Sequence, residues 1–158
     1  MEAIGLRSAF IFFLVVSSIG AWSGSGRAEE INKYVGPETC KGCYAQEYES
    51  FLKHSRKVGS YESIVLMKKG LTESETQGCY KCHTTGYEEP GGFRSEQETP
   101  QLKNASCETC HGPGGKHSET GDKAYIKGKL TTADCERCHS PERIKTFKYN
   151  PLIFGGAH

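Results

Sequence analysis

Past the first thirty residues, apolar positions are sparse, and where they cluster they recur with the period of a helix. Tyr44, Tyr48, Phe51 and Leu52 fall at helical spacing and predict a helix running from Cys40 to Lys57 and ending near Gly59. A second, shorter helix is expected over Tyr61 to Lys69, stopped by Gly70. The stretch from Glu88 to Thr99, EEPGGFRSEQET, reads as loop, and short helical turns are expected around the later cysteine motifs, with Pro141 closing the last of them. No segment alternates apolar and polar residues as a half-buried strand would. The predicted fold class is therefore mostly α with extensive loops and little or no sheet.

The first residues carry a different pattern. An Arg7-bearing head, an apolar stretch from Ala9 to Trp22 and a run of small residues make 1–28 a secretory signal peptide, with cleavage expected after Ala28. Ser17, Ser18 and Gly20 interrupt the apolar core too early for a comfortable membrane span, so no stable membrane span is expected after cleavage and the protein is expected to be periplasmic or secreted. Residues 29–158 then form one domain by length. That domain holds 18 basic and 18 acidic side chains, interspersed, with no basic face for nucleic acid.

After the signal segment, the compact apolar clusters lie only around Tyr48 to Leu52, Ile64 to Met67 and Leu152 to Phe154. So small a core needs staples, meaning disulfides, metals or a cofactor, and the 19 glycines agree in pointing to much loop.

The cysteines supply the candidate staples. All eight fall in C-x-x-C pairs, Cys40/Cys43, Cys79/Cys82, Cys107/Cys110 and Cys135/Cys138, and the last three pairs begin 28 residues apart. His83, His111 and His139 follow the second cysteine of those three. C-x-x-C-H in an exported chain marks covalent attachment of haem c: one helical turn brings both sulfurs to the porphyrin's vinyl edge and aims the imidazole at the iron. Cys₄ zinc ribbons would not require that histidine and belong mainly to reducing compartments. A disulfide framework fits export but not adjacent C-x-x-C pairs. The pattern favours a multihaem cytochrome.

Six histidines are present, and His54, His117 and His158 stand apart from the motifs. A lone histidine is ordinarily a surface or satisfied polar residue. Here each low-spin iron needs a second axial ligand, and two imidazoles on iron suit electron transfer.

The segments YVGPETCKGCYAQEYESFLKHSRKVGSYESIVLMKKG, CYKCHTTGY, CETCHGPGGKH and CERCHSPE with the terminal FGGAH resemble the cytochrome c-554 family of tetrahaem c-type cytochromes, in order and over nearly the whole mature chain. That resemblance implies a fold of helix and loop wrapped around stacked haems, and axial ligation from a distance by His54, His117 and His158. It also implies a five-coordinate iron at the motif of His83, and redox partner proteins on either side.

Tyr44 departs from the family pattern, standing where the first motif has its histidine. Two readings stay open. Cys40/Cys43 carry a fourth haem, with Tyr44 as a phenolate ligand or an aromatic filler beside it. Otherwise the site is empty, its cysteines are a disulfide or free thiols, and three haems remain. Four haems is the favoured count. The function expected is electron transfer between periplasmic or extracellular partners; the alternative is a redox enzyme acting on nitric oxide, hydroxylamine or nitrite at an open iron. His158 either reaches an iron of its own chain, anchored by Tyr149 to Phe154, or ligates in trans and joins haems of neighbouring molecules by self-association.

Overall fold

The structure, a computed structural model, describes residues 30–140; the expected signal peptide over 1–28, Pro141, the expected anchor over Tyr149 to Phe154 and His158 lie outside the described residues. Among the described residues there are seven short α-helices and no strand. They are α1 (Pro37–Lys41), α2 (Ala45–His54), α3 (Ser60–Met67), α4 (Glu73–His83), α5 (Cys107–His111), α6 (Gly115–Thr120) and α7 (Thr132–Glu136). The mostly α, loop-rich class is as the sequence predicts.

The predicted helix over Cys40 to Lys57 is instead two helices. α1 ends at Lys41, and the chain leaves helical geometry at Tyr44, whose φ of −124° and ψ of 48° start α2 afresh. Gly42 and Cys43 form the corner, because the amides of Cys43 and Tyr44 both donate to the Cys40 carbonyl, at 3.2 and 2.9 Å. The helix also stops three residues early, since Ser55 turns extended before a 3₁₀ turn over Arg56–Gly59. The second predicted helix is present as α3 with a 3₁₀ turn over Lys68–Gly70, and 88–99 is turn and loop. α4 is longer than the helical turn expected there. It starts at a capping box in which the Thr72 hydroxyl accepts from the Glu75 amide while the Glu75 carboxylate accepts from the Thr72 amide.

The apolar core is as small as the composition suggests: Tyr48, Phe51, Ile64, Phe93, Leu102 and Ala105 are buried. Phe93 and Leu102 come from loop and 3₁₀ segments, whereas Leu52, Leu66 and Met67 of the apolar clusters are exposed. Buried polar groups do much of the joining. Glu108, 1 % exposed, accepts hydrogen bonds from the amides of Val35, Gly36 and Gly114 and so ties the N-terminal segment to α5 and α6. Thr85, fully buried, bonds through its hydroxyl to the Asn104 carbonyl, Ser106 and Thr109. Close backbone approach replaces side-chain packing at Gly92, where a Cβ would lie 1.7 Å from the Gly86 carbonyl oxygen.

Candidate haem-attachment sites

Each C-x-x-C pair lies on one helical turn, so its two cysteines share a face. The second motif closes α4 with His83, and the third is the whole of α5, ending on His111. The fourth begins in α7, where the amides of Cys138 and His139 donate to the Cys135 carbonyl at 3.2 and 2.9 Å. The first motif, C-K-G-C-Y, makes the same two bonds at the same two distances from Cys43 and Tyr44 to Cys40. The turn that carries the chemistry is therefore intact at the first pair, and only the side chain after it differs.

Three imidazoles are oriented alike. Nδ1 of His83 donates to the Ser60 carbonyl at 2.8 Å, Nδ1 of His111 to the Lys127 carbonyl at 2.6 Å, and Nδ1 of His117 to the Asp122 carbonyl at 3.0 Å. A proton fixed on Nδ1 leaves the Nε2 lone pair for a metal, the usual arrangement around a ligating histidine. His139 is partly buried, and burial followed by the Lys57 charge lowers its pKa, so it too favours the neutral, ligating form.

The motifs meet in pairs. A cavity of about 610 Å³ is lined by Cys40, Cys43 and Tyr44 of the first motif, Cys107, Cys110 and His111 of the third, and His117 of α6. Val35, Tyr48, Phe51, Ile126 and Leu130 give it apolar walls. Interaction with the Cys107 thiol, with burial, pushes the Cys40 thiol well above its ordinary range. On the other side the second and fourth motifs touch. The Cys82 thiol points at the Arg137 carbonyl and the Cys138 thiol at that of Lys81, each at 4.0 Å; burial and the Cys82 bond push Cys138 up to about 12. Thioether formation would remove these protons altogether.

All eight cysteines are free of disulfides, which leaves every sulfur available for a thioether. Among the described residues no three His, Cys, Asp or Glu side chains converge on one point. An apolar cavity bordered by two C-x-x-C turns, and imidazoles whose Nδ1 donates to a carbonyl so that Nε2 keeps its lone pair, fit haem c: the cysteines would hold it and the histidines would ligate its iron. His54, by contrast, ends α2 exposed and lines neither this cavity nor the smaller one beside Arg137. Two participants were not singled out from sequence. Glu108 occupies a variable position of C-E-T-C-H, where nothing marks it as structural. Tyr80, inside C-Y-K-C-H, packs edge-on against Tyr87 and Phe93 at centroid distances of 5.1 and 5.3 Å and so seats the second motif; the local abundance of aromatics was the available signal.

Fold and site together fit the class of c-type cytochromes. The family described as "Cytochrome c554 and c-prime" matches residues 39–112, a span that holds the first three motifs. Cytochrome c-554 of Nitrosomonas europaea is 27% identical over 137 residues, covering 82% of this chain and 57% of its own length. Over these residues the chain is similar to the cytochrome c-554 family. It spans little more than half the length of that relative. No solved structure matches it. No helix among the described residues is long and apolar enough to cross a membrane.

Proposed function

We propose that the protein is an exported tetrahaem electron carrier, released by cleavage of residues 1–28 and passing electrons between periplasmic or extracellular redox proteins. Haem c would be held at Cys40/Cys43, Cys79/Cys82, Cys107/Cys110 and Cys135/Cys138. His83, His111 and His139 would be proximal ligands, and His54, His117 and His158 the candidates for distant ligation. When bound, the haems supply the one-electron chemistry. The chain's own part is to fix them close together and to keep the ligating imidazoles in one tautomer, so that little rearranges on electron transfer.

The observation that carries this reading is the meeting of the motifs in pairs: the first and third line one cavity, and the second and fourth touch where the Cys82 thiol points at the Arg137 carbonyl and the Cys138 thiol at that of Lys81. Attachment turns that meet in this way would bring the groups they carry close together as well. That is a geometry for moving electrons along a chain of sites, not for isolating one reactive centre. The intact first turn supports four haems over three. Reductive titration of the exported protein is expected to take up four electrons per chain over a spread of potentials, and its ferric electron paramagnetic resonance to be broadened by coupling between neighbouring irons. Four sharp, uncoupled signals would contradict the paired arrangement.

A further inference from the structure

The hydroxyl of Tyr44 lies 2.9 Å from Nε2 of His117, with the ring centroids 6.0 Å apart, and both side chains line the cavity bordered by Cys40 and Cys43. His117 donates from Nδ1 to the Asp122 carbonyl, so its Nε2 carries a lone pair and the phenol must be the donor in the Tyr44 bond. Tyr44 is 42 % exposed, which does not suit an aromatic filler. It stands on a turn bonded like that of the fourth motif, in the position where that motif has its iron-directed histidine. Nε2 of His117 is thus aimed at the residue that replaces a proximal ligand.

From this we infer that Tyr44 and His117 are the two axial ligands of one iron, that of the haem at Cys40/Cys43, giving a mixed phenolate–imidazole site. The inference rests on the proposed loading of that cysteine pair. The bridging hydrogen of O–H···N marks where a metal would enter, since both donors already face that point from 2.9 Å apart. The phenol proton leaves to solvent as the oxygen takes ferric iron, and no electron moves in that exchange. The anionic oxygen favours the ferric state, so this haem is the last of the set to be reduced. His117 is then committed to the first haem and unavailable to the others.

The test uses the exported holoprotein, with intact mass, ferric absorption and potentiometry read together. Tyr44→Phe and His117→Ala are expected to change the same ferric signal, that of the haem reduced last, and Tyr44→His to move that last step to higher potential. If Tyr44→Phe loses the haem, Tyr44→His decides: an upward move upholds the ligand pair and an unmoved step overturns it. Four haems whose ferric spectrum and lowest step ignore Tyr44→Phe would overturn the pair while leaving the carrier reading intact. A wild-type mass of three haems would instead remove the loading on which the pair depends.

Discussion

Glu108 shows how a single side chain can hold the frame around two C-x-x-C turns. Its oxygens accept amides from Val35, Gly36 and Gly114, three donors drawn from both ends of the described fold. Glu108→Gln keeps the shape but turns an NH₂ toward a backbone donor, so the loss of one charge-assisted bond and an unsatisfied amide are expected to cost about 1–3 kcal/mol in denaturant unfolding. An unchanged midpoint would show that the carboxylate is not the tie described. Tyr48 gives a pH-dependent counterpart. It is buried, and its bond to the Glu38 carboxylate, with burial, raises its pKa to about 12 from 10.0. The folded state thus holds this proton more tightly than the unfolded chain. Its stabilisation is complete below pH 10 and is lost as pH rises toward 12. Denaturant midpoints should fall over that window in the wild type and fall less in Tyr48→Phe. Neither residue could be picked out beforehand, because a glutamate between two cysteines and a tyrosine at helical spacing look the same whether buried and bonded or solvated. Tyr44 was different: its departure from a repeated motif made it visible without the structure.

Helices here are short, and their ends decide where the sulfurs point. The spacing of apolar residues indicated one helix through the first motif, but spacing cannot register a corner, and the corner at Gly42–Cys43 is what lets Tyr44 turn into the cavity. α4 was underestimated for the opposite reason: its residues are mostly polar, and its start is signalled by Thr72 and Glu75, not by periodicity. Thr72→Ala removes one half of that capping box and is expected to destabilise by about 1 kcal/mol, with faster amide hydrogen exchange along α4 and little change elsewhere. Equal acceleration throughout the protein would mean that α4 does not open on its own. The cysteine pairs were legible as candidates because thioether attachment would demand a fixed spacing, and the 28-residue interval repeated it. The order in which the pairs meet in space was not legible, since first with third and second with fourth depends on loops whose closure leaves no periodic trace.

At the scale of the molecule, the described residues have a core of six buried apolar side chains, polar ties at Glu108 and Thr85, and a large cavity bordered by candidate attachment residues. Such a fold is expected to depend on its cofactor: binding to the native state alone stabilises it by linkage, so chain prepared without haem attachment should unfold at lower denaturant concentration than the exported form and give a broader transition. Small apolar content and a high glycine count announced that dependence, although they could not say that Phe93 and Leu102, from irregular segments, would complete the core. The central claim is that all four cysteine pairs carry haem. Intact mass of the exported protein under denaturing conditions tests it most directly, because thioether-bound haem stays with the chain. The account predicts the mass of the polypeptide beginning at Glu29 plus four haems; three haems would contradict the claim at the first pair, and a bare chain would contradict it entirely.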